Sequence, residues 1–249
     1  MNFNTILKDC RERFKGFDRE IEIERKPKSF EKTILETSNS GLNPIIGEIK
    51  FSSPLDKVGR INDPVQIAQE MVEGGACGIS VLTEEKFFRG SLENLRQVAP
   101  SSPVPVLRKD FIFDESQIYE SYYYGADSLL LISSFFDGDK LRSFIDKSRE
   151  IGMEPLVEIH SPKDVEIAKK AGTKIYVINN RDKDTLKIDL NRSKILSGYI
   201  NDLKISASGI STPKDLSFVL RYCDAALIGT SIMKSKNIKE KVKGLVHGR

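Results

Sequence analysis

The sequence predicts an α/β protein, a single (β/α)8 barrel (TIM barrel) preceded by an N-terminal helical extension. Three observations carry this expectation. From residue 44 onward, short apolar runs rich in Ile, Val and Leu alternate with longer amphipathic stretches, the mark of a parallel sheet with helical crossovers. Eight such runs follow one another, the strand number of this barrel. Several runs close on ionisable residues, and the C-terminal ends of strands are where a barrel keeps its catalytic side chains. A length of 249 residues fits one barrel or two ordinary domains, and the eightfold alternation favours the barrel.

Residues 1–40 make up the extension. They are charge-dense, with apolar residues at helical spacing at Phe3, Ile6 and Leu7, then at Phe14, Phe17 and Ile21, which predicts two or three short helices. The catalytic barrel spans 41–249. Its strand candidates are Pro44–Lys50, Gly78–Thr83, Val104–Lys109, Ser128–Ile132, Glu154–Glu158, Lys174–Asn179, Lys204–Ala207 and Ala225–Ile228. The intervening helices are expected over Pro64–Glu73, Leu92–Val98, Ser116–Tyr124, Lys140–Ile151, Pro162–Ala171, Arg192–Ile200 and Pro213–Tyr222, with a last one near Ile238–Val246. Several stop at a glycine (Gly74 or Gly75, Gly125, Gly152, Gly172), as helix C-termini do. A doubly wound open sheet has the same periodicity, but no GxGxxG follows the first strand.

Composition excludes more than it identifies. With 39 Lys and Arg against 36 Asp and Glu, the net charge of +3 is slight and interspersed along the chain, so neither a nucleic-acid nor a membrane partner is indicated. Cys10, Cys77 and Cys223 are odd in number and far apart, which supports neither a disulfide framework nor a zinc site. Charges interrupt the N-terminus before any signal-type apolar run develops, and no stretch of about 18 apolar residues occurs. A soluble, cytoplasmic protein is expected, a monomer or weak homodimer without an obligate protein partner. With only two histidines, His160 and His247, Ser-His-Asp hydrolysis and His-rich metal chemistry are poor fits.

Four strand ends supply candidate chemistry. The first run closes on Gly47-Glu48-Ile49-Lys50, where a two-residue period puts Glu48 and Lys50 on one face with Ile46. The third closes on Arg108-Lys109-Asp110, the fifth on Glu158-Ile159, and the sixth on Asn179-Asn180-Arg181-Asp182. Any one of these charges alone reads as a solvated strand exit. Converging on one mouth, Glu48, Lys50, Lys109 and Glu158 would share a partly desolvated pocket, the setting that perturbs pKa values for acid–base catalysis. After the seventh and eighth strands come Ser206-Ala207-Ser208-Gly209-Ile210 and Leu227-Ile228-Gly229-Thr230-Ser231. Small-residue turns at these two loops form the recurrent phosphate site of the barrel, so a phosphorylated small molecule is the expected substrate.

With these residues in view, the chain resembles the indole-3-glycerol-phosphate synthase family of tryptophan biosynthesis. The likeness runs from about Ile45 to Lys234. It rests on IIGEIKFSSP (45–54), GISVLTEEKFFRGSLENL (78–95), PVLRKDFIFDESQIYESYYYGADSLLLI (105–132), EPLVEIH (154–160), INNRD (178–182), SASGIS (206–211) and ALIGTSIMKS (226–235), in order along the chain. The resemblance implies a carbon–carbon lyase that closes an indole ring from 1-(2-carboxyphenylamino)-1-deoxyribulose 5-phosphate and releases carbon dioxide and water. It implies no cofactor and no metal.

The residue roles are likewise implied by the resemblance. Lys109, in KDF, is the expected general acid toward the ketone oxygen, and Glu158 is expected to exchange protons during ring closure and dehydration. Glu48 should orient the lysines and substrate hydroxyls, while Lys50 should hold the phosphate or the carboxylate and donate a proton. Ser53 and Arg181 are expected near the substrate carboxylate or the anthranilate ring, and Asn179 at a sugar hydroxyl. Ser208, Gly209, Gly229 and Thr230 fall on the phosphate turns. Phe87 and Phe88 could wall the aromatic ring, although core packing is their ordinary role.

Two positions depart from the family pattern. Ala207 stands where the family usually carries a glutamate, and one carboxylate fewer should shift the pocket lysines downward. Phe51 replaces a basic residue often found after the E-x-K. Three rival readings stay open on sequence: a Schiff-base aldolase using Lys109 as nucleophile, a sister barrel that isomerises a phosphoribosyl compound, which shares the phosphate turns but is not expected to carry the E-x-K, KDF and VE set together, and a phosphate-ligand-binding barrel impaired in turnover, for which Ala207 is the only indication.

Overall fold

The structure is a computed structural model that describes residues 3–53, 56–57 and 63–248. Eight parallel strands form its centre: β1 (Ile45–Ile49), β2 (Gly78–Leu82), β3 (Val106–Lys109), β4 (Ser128–Ile132), β5 (Leu156–Ile159), β6 (Ile175–Asn179), β7 (Leu203–Ala207) and β8 (Ala225–Ile228). Each pairs with its neighbour in sequence, and β1 pairs with β8 through Ile45–Ala226, Ile46–Leu227 and Gly47–Ile228. The sheet therefore closes into the expected barrel.

Alternation along each strand builds two apolar layers. Ile46, Leu107, Leu130, Leu156, Val177, Ile205 and Leu227 share the cluster that fills the barrel. Ile45, Ile49, Ile79, Val81 and Val106 join a second cluster with Leu95, Val98 and Val242 of the surrounding helices. These two periods place Glu48 and Lys109 on the inward face of their strands, since they lie two residues beyond Ile46 and Leu107.

The helices are α1 (Phe3–Arg13), α2 (Phe30–Asn39), α3 (Pro64–Glu73), α4 (Leu92–Ser101), α5 (Ser116–Tyr123), α6 (Gly138–Glu150), α7 (Pro162–Lys170), α8 (Asn191–Ser197), α9 (Pro213–Val219), α10 (Thr230–Met233) and α11 (Ile238–His247). Three crossover helices start alike. Asp63, Ser161 and Thr212 accept main-chain N–H bonds as caps, and Pro64, Pro162 and Pro213 occupy the first turn, where no N–H is needed. Among the described residues, no helix is long and apolar enough to cross a membrane.

The segment before β1 touches both ends of the barrel. Ile6 of α1 reaches the C-terminal mouth, while Phe30 of α2 packs onto Gly78 at the opposite end, where a Cβ on that glycine would lie 2.4 Å from the Phe30 ring. Residues 14–29 between these helices have no regular secondary structure, although Phe14, Phe17 and Ile21 have helical spacing. Their partners are tertiary. Phe14 meets Phe113 edge-on at 5.5 Å, Phe17 tilts on Tyr123 at 5.5 Å, and Ile21 packs on the outer core. The segment is then tied down at Asp127, a fully buried carboxylate just before β4. One oxygen of Asp127 accepts from Arg25 at 2.6 Å and from the Lys28 main chain at 3.0 Å, and the other from the Val106 main chain at 2.9 Å.

Asp127→Ala leaves the Val106 N–H without its buried acceptor and removes the anchor of residues 25–28. It is expected to cost about 2–4 kcal/mol in urea unfolding and to speed proteolysis of residues 14–29. Unchanged stability with unchanged cleavage would contradict this role.

Candidate active site

The end of β3 fixes the central lysine. Arg108 faces outward and is buried, pairing with Asp110 at 3.1 Å and Glu120 at 2.8 Å, so the next residue, Lys109, must face the barrel mouth. Lys109 Nζ lies 3.2 Å from Oε2 of Glu158 at the end of β5. The other oxygen of Glu158 accepts from Asn179 Nδ2 at 3.0 Å and lies 3.0 Å from His160 Nε2. Glu158 is 1% exposed.

Burial and charge compete at this pair. Burial disfavours the Lys109 ammonium, yet the facing Glu158 and Glu48 carboxylates overcome it and raise the lysine above its ordinary value of 10.5. Burial likewise works against the Glu158 carboxylate, but the Lys109 charge, His160 and the Asn179 amide hold it well below the usual carboxylate range. Lys109 therefore stays an ammonium and Glu158 a carboxylate at neutral pH.

The E-x-K of β1 is different. Lys50 Nζ lies 3.7 Å from Glu48 Oε1 and 5.8 Å above the Phe88 ring centre. Its pKa is lowered below 10.5, first by burial and then by the Lys109 and Arg181 charges, with Glu48 opposing. The two pocket lysines are thus driven apart, Lys109 upward and Lys50 downward. Ala207 is buried at the end of β7 and lines the same pocket. Among the described residues, Oε2 of Glu48 is buried without a hydrogen-bond partner, an acceptor available to a bound hydroxyl or ammonium.

Gly229 makes room for this carboxylate. A Cβ there would lie 2.6 Å from Glu48 Oε1, so the β8 turn and the β1 acid occupy adjoining space. The β7 turn is strained: Ser208 has φ +70 and Gly209 φ +84, a left-handed region costly for serine. Asn180 holds it, its amide donating to Ser206 Oγ at 3.0 Å and to the Ser208 carbonyl at 3.1 Å. Asn180 is fully buried, and its carbonyl accepts from Ser193 of α8. Thr230 opens the short helix α10 directly after Gly229. Both turns line the pocket that holds Lys109.

Of the residues singled out from sequence, Lys109, Glu158, Glu48, Lys50, Asn179, Ser208, Arg181, Gly209, Gly229 and Thr230 all line this one cavity. Asn179 has both ends of its amide engaged, with Oδ1 accepting the Arg181 N–H at 3.0 Å, so in this state it orients Glu158. Arg181 donates to the Leu186 carbonyl at 3.0 Å, and burial lowers its pKa. Ser53 lies in a two-residue strand paired with Asp56–Lys57, and its side chain falls outside the described residues. Phe88 lines the cavity and packs on Phe111 at 6.2 Å, whereas Phe87 lies under Lys86.

Sequence reasoning missed the apolar wall and one polar contact. Ile6, Leu130, Ile132, Leu186, Ile188 and Leu227 also line the cavity. Leu130 and Ile132 could have been found by extending the inward period of β4, but Ile6 and Ile188 arrive through tertiary packing. His160 could have been found from its two-residue offset from Glu158.

A closed (β/α)8 barrel with paired lysines and glutamates at its C-terminal mouth, beside two glycine turns, defines a barrel enzyme built for acid–base work on an anionic ligand. A family model described as indole-3-glycerol phosphate synthase matches residues 4–245. Among curated relatives, the indole-3-glycerol phosphate synthase of Methanocaldococcus jannaschii is 45% identical over 246 residues, covering 97% of this chain and 91% of that protein. Those of Aquifex aeolicus and Pyrococcus furiosus are 44% and 41% identical, covering 81% and 82% of this chain and 80% and 92% of their own lengths. The chain belongs to the indole-3-glycerol phosphate synthase family.

Gly229→Ala is expected to displace the Glu48 carboxylate while sparing the barrel. Because misplacement of a positioning group by about 1 Å costs on the order of 100-fold, kcat/KM with the family's substrate should fall by about that much at near-parental stability. Parental kcat/KM would show that Glu48 tolerates the displacement.

Proposed function

We propose that the protein is an indole-3-glycerol-phosphate synthase, a carboxy-lyase that converts 1-(2-carboxyphenylamino)-1-deoxyribulose 5-phosphate to indole-3-glycerol phosphate. The observation that carries this reading is the buried Lys109–Glu158 pair, 3.2 Å apart, at the mouth of a barrel of this family.

The chemistry follows from the groups present. The aromatic carbon bearing the carboxylate attacks the ketone carbon, and the developing alkoxide needs a proton. An ammonium has three N–H bonds; Glu158 accepts one, which leaves others for the ketone oxygen. Lys109 is therefore the general acid. Loss of carbon dioxide restores the aromatic ring and requires no electron sink outside the substrate. Departure of the new hydroxyl as water then needs a second proton donor and a base. Lys50, whose lowered pKa makes its proton easier to give up, is the donor, and Glu158 exchanges the proton removed from the ring system.

Binding uses the remaining residues. The Ser208-Gly209 and Gly229-Thr230 turns hold the phosphate, Arg181 faces the carboxylate, and the Glu48 oxygen without a hydrogen-bond partner among the described residues accepts a sugar hydroxyl. Ile6, Phe88 and Ile188 enclose the anthranilate ring, and a fixed phosphate turns remote binding energy into alignment of the reacting carbons. Every assigned group comes from one chain, so a monomer or weak homodimer suffices without an obligate partner. Buried free thiols at Cys10, Cys77 and Cys223 suit a reducing cytoplasm.

Purified protein given the carboxyphenylamino-deoxyribulose phosphate should develop indole fluorescence, and absence of turnover despite substrate binding would refute the synthase reading. Lys109→Met should lower kcat by about 10²–10⁴-fold with a smaller effect on KM. Near-parental kcat would remove Lys109 from the role of acid. Activity should fall on the alkaline side as Lys50 loses its proton below pH 10.5. Lys50→Arg, charged throughout, should abolish that alkaline limb in whatever activity it retains. An unmoved limb would assign it to another group.

A further inference from the structure

Glu158 is held on its far side by a group that the proposed chemistry leaves unused. His160 follows β5, two residues beyond Glu158, and its side chain is 3% exposed. Its Nε2 lies 3.0 Å from Glu158 Oε1 and its Nδ1 lies 3.2 Å from the Arg181 main-chain carbonyl. A carbonyl oxygen only accepts, so the Nδ1 contact is a hydrogen bond when Nδ1 carries the hydrogen. In a neutral ring, Nε2 would then turn a lone pair toward a carboxylate oxygen, and the contact would be repulsive. One further proton between the two turns it into a charge-assisted bond.

Surrounding groups favour the charged form of the carboxylate. Lys109 of β3 on Oε2, and the Asn179 amide of β6 on Oε1, both favour an ionised Glu158. From α7, Asp164 accepts the His160 main-chain N–H at 2.9 Å, adding a second carboxylate nearby. From α8, Arg192 donates to the same Arg181 carbonyl at 3.3 Å.

We propose that His160 is a positioning residue for Glu158, an imidazolium bridging that carboxylate to the Arg181 main chain. It keeps Glu158 ionised with Oε2 turned to Lys109, and it ties the general acid to the loop that carries Arg181. The kinetic consequence rests on the synthase reading, whereas the protonation of His160 does not.

The chain has only two histidines, and His247 in α11 is exposed, so ¹⁵N-histidine labelling of His247→Gln protein isolates a single ring. At neutral pH both ring nitrogens of His160 are expected to carry protons. Glu158→Gln should convert His160 to a neutral ring protonated at Nδ1. His160→Gln, which can donate a hydrogen bond but carries no charge, should lower kcat about 10-fold or more with KM within about 3-fold. A neutral His160 in otherwise parental protein overturns the proposal. So does an imidazolium that persists in Glu158→Gln, or a His160→Gln protein with parental kcat. Should the parental protein show the imidazolium and its loss in Glu158→Gln but no synthase turnover, the functional reading fails while the His160–Glu158 bridge stands.

Discussion

The active site depends on one buried ion pair. Removing an ammonium and a carboxylate from water is costly, and the cost is offset only where geometry and further hydrogen bonds satisfy both partners. Lys109 and Glu158 meet that condition at the inner ends of two strands that are not neighbours. Asn179 and His160 complete the carboxylate, and Glu48 adds a second negative charge facing the lysine. The barrel supplies what a loop could not, since closure of the sheet fixes β1, β3, β5 and β6 relative to one another. Side chains at their ends are then held to the tolerance that acid–base chemistry requires.

The same constraint explains why the two pocket lysines differ. Lys109 faces two carboxylates and its pKa is raised, whereas Lys50 has one partner at 3.7 Å and two cationic neighbours, and its pKa is lowered. The charged side chains that line the pocket are the cations Lys50, Lys109 and Arg181 and the acids Glu48, Asp110 and Glu158, so each lysine's state is set by which of them it faces. One acid prepared to remain protonated and another prepared to give up its proton suit a reaction with two successive proton donations.

Strand positions and the shared face of Ile46, Glu48 and Lys50 on β1 were legible in the sequence because a period of two leaves no freedom once the core face is set. Glu48 could thus be placed by its period, and Lys109 by its position at a strand end. The phosphate turns were legible from their small residues after the last two strands. The region around Phe14, Phe17 and Ile21 was misread as helical, because apolar spacing records burial and not its cause; here the burial comes from Phe113, Tyr123 and the outer core. Ile6 and Ile188 were invisible for a related reason, since their place at the mouth is set by contacts across the fold. His160 was given no role from sequence, because its partners, the Arg181 carbonyl and the Glu158 carboxylate, are brought to its two nitrogens by the fold.

The central claim is that Glu158 keeps Lys109 protonated inside the pocket. Titration of the Lys109 side chain by ¹⁵N NMR, assigned by loss of its signal in Lys109→Arg, measures this directly. Lys109 is expected to retain its proton beyond the ordinary lysine value of 10.5 in the parental protein. With Glu158→Gln, burial acts against the ammonium with less opposition, and the midpoint should fall. A Lys109 that titrates below 10.5 in the parental protein, or one unmoved by Glu158→Gln, would contradict it.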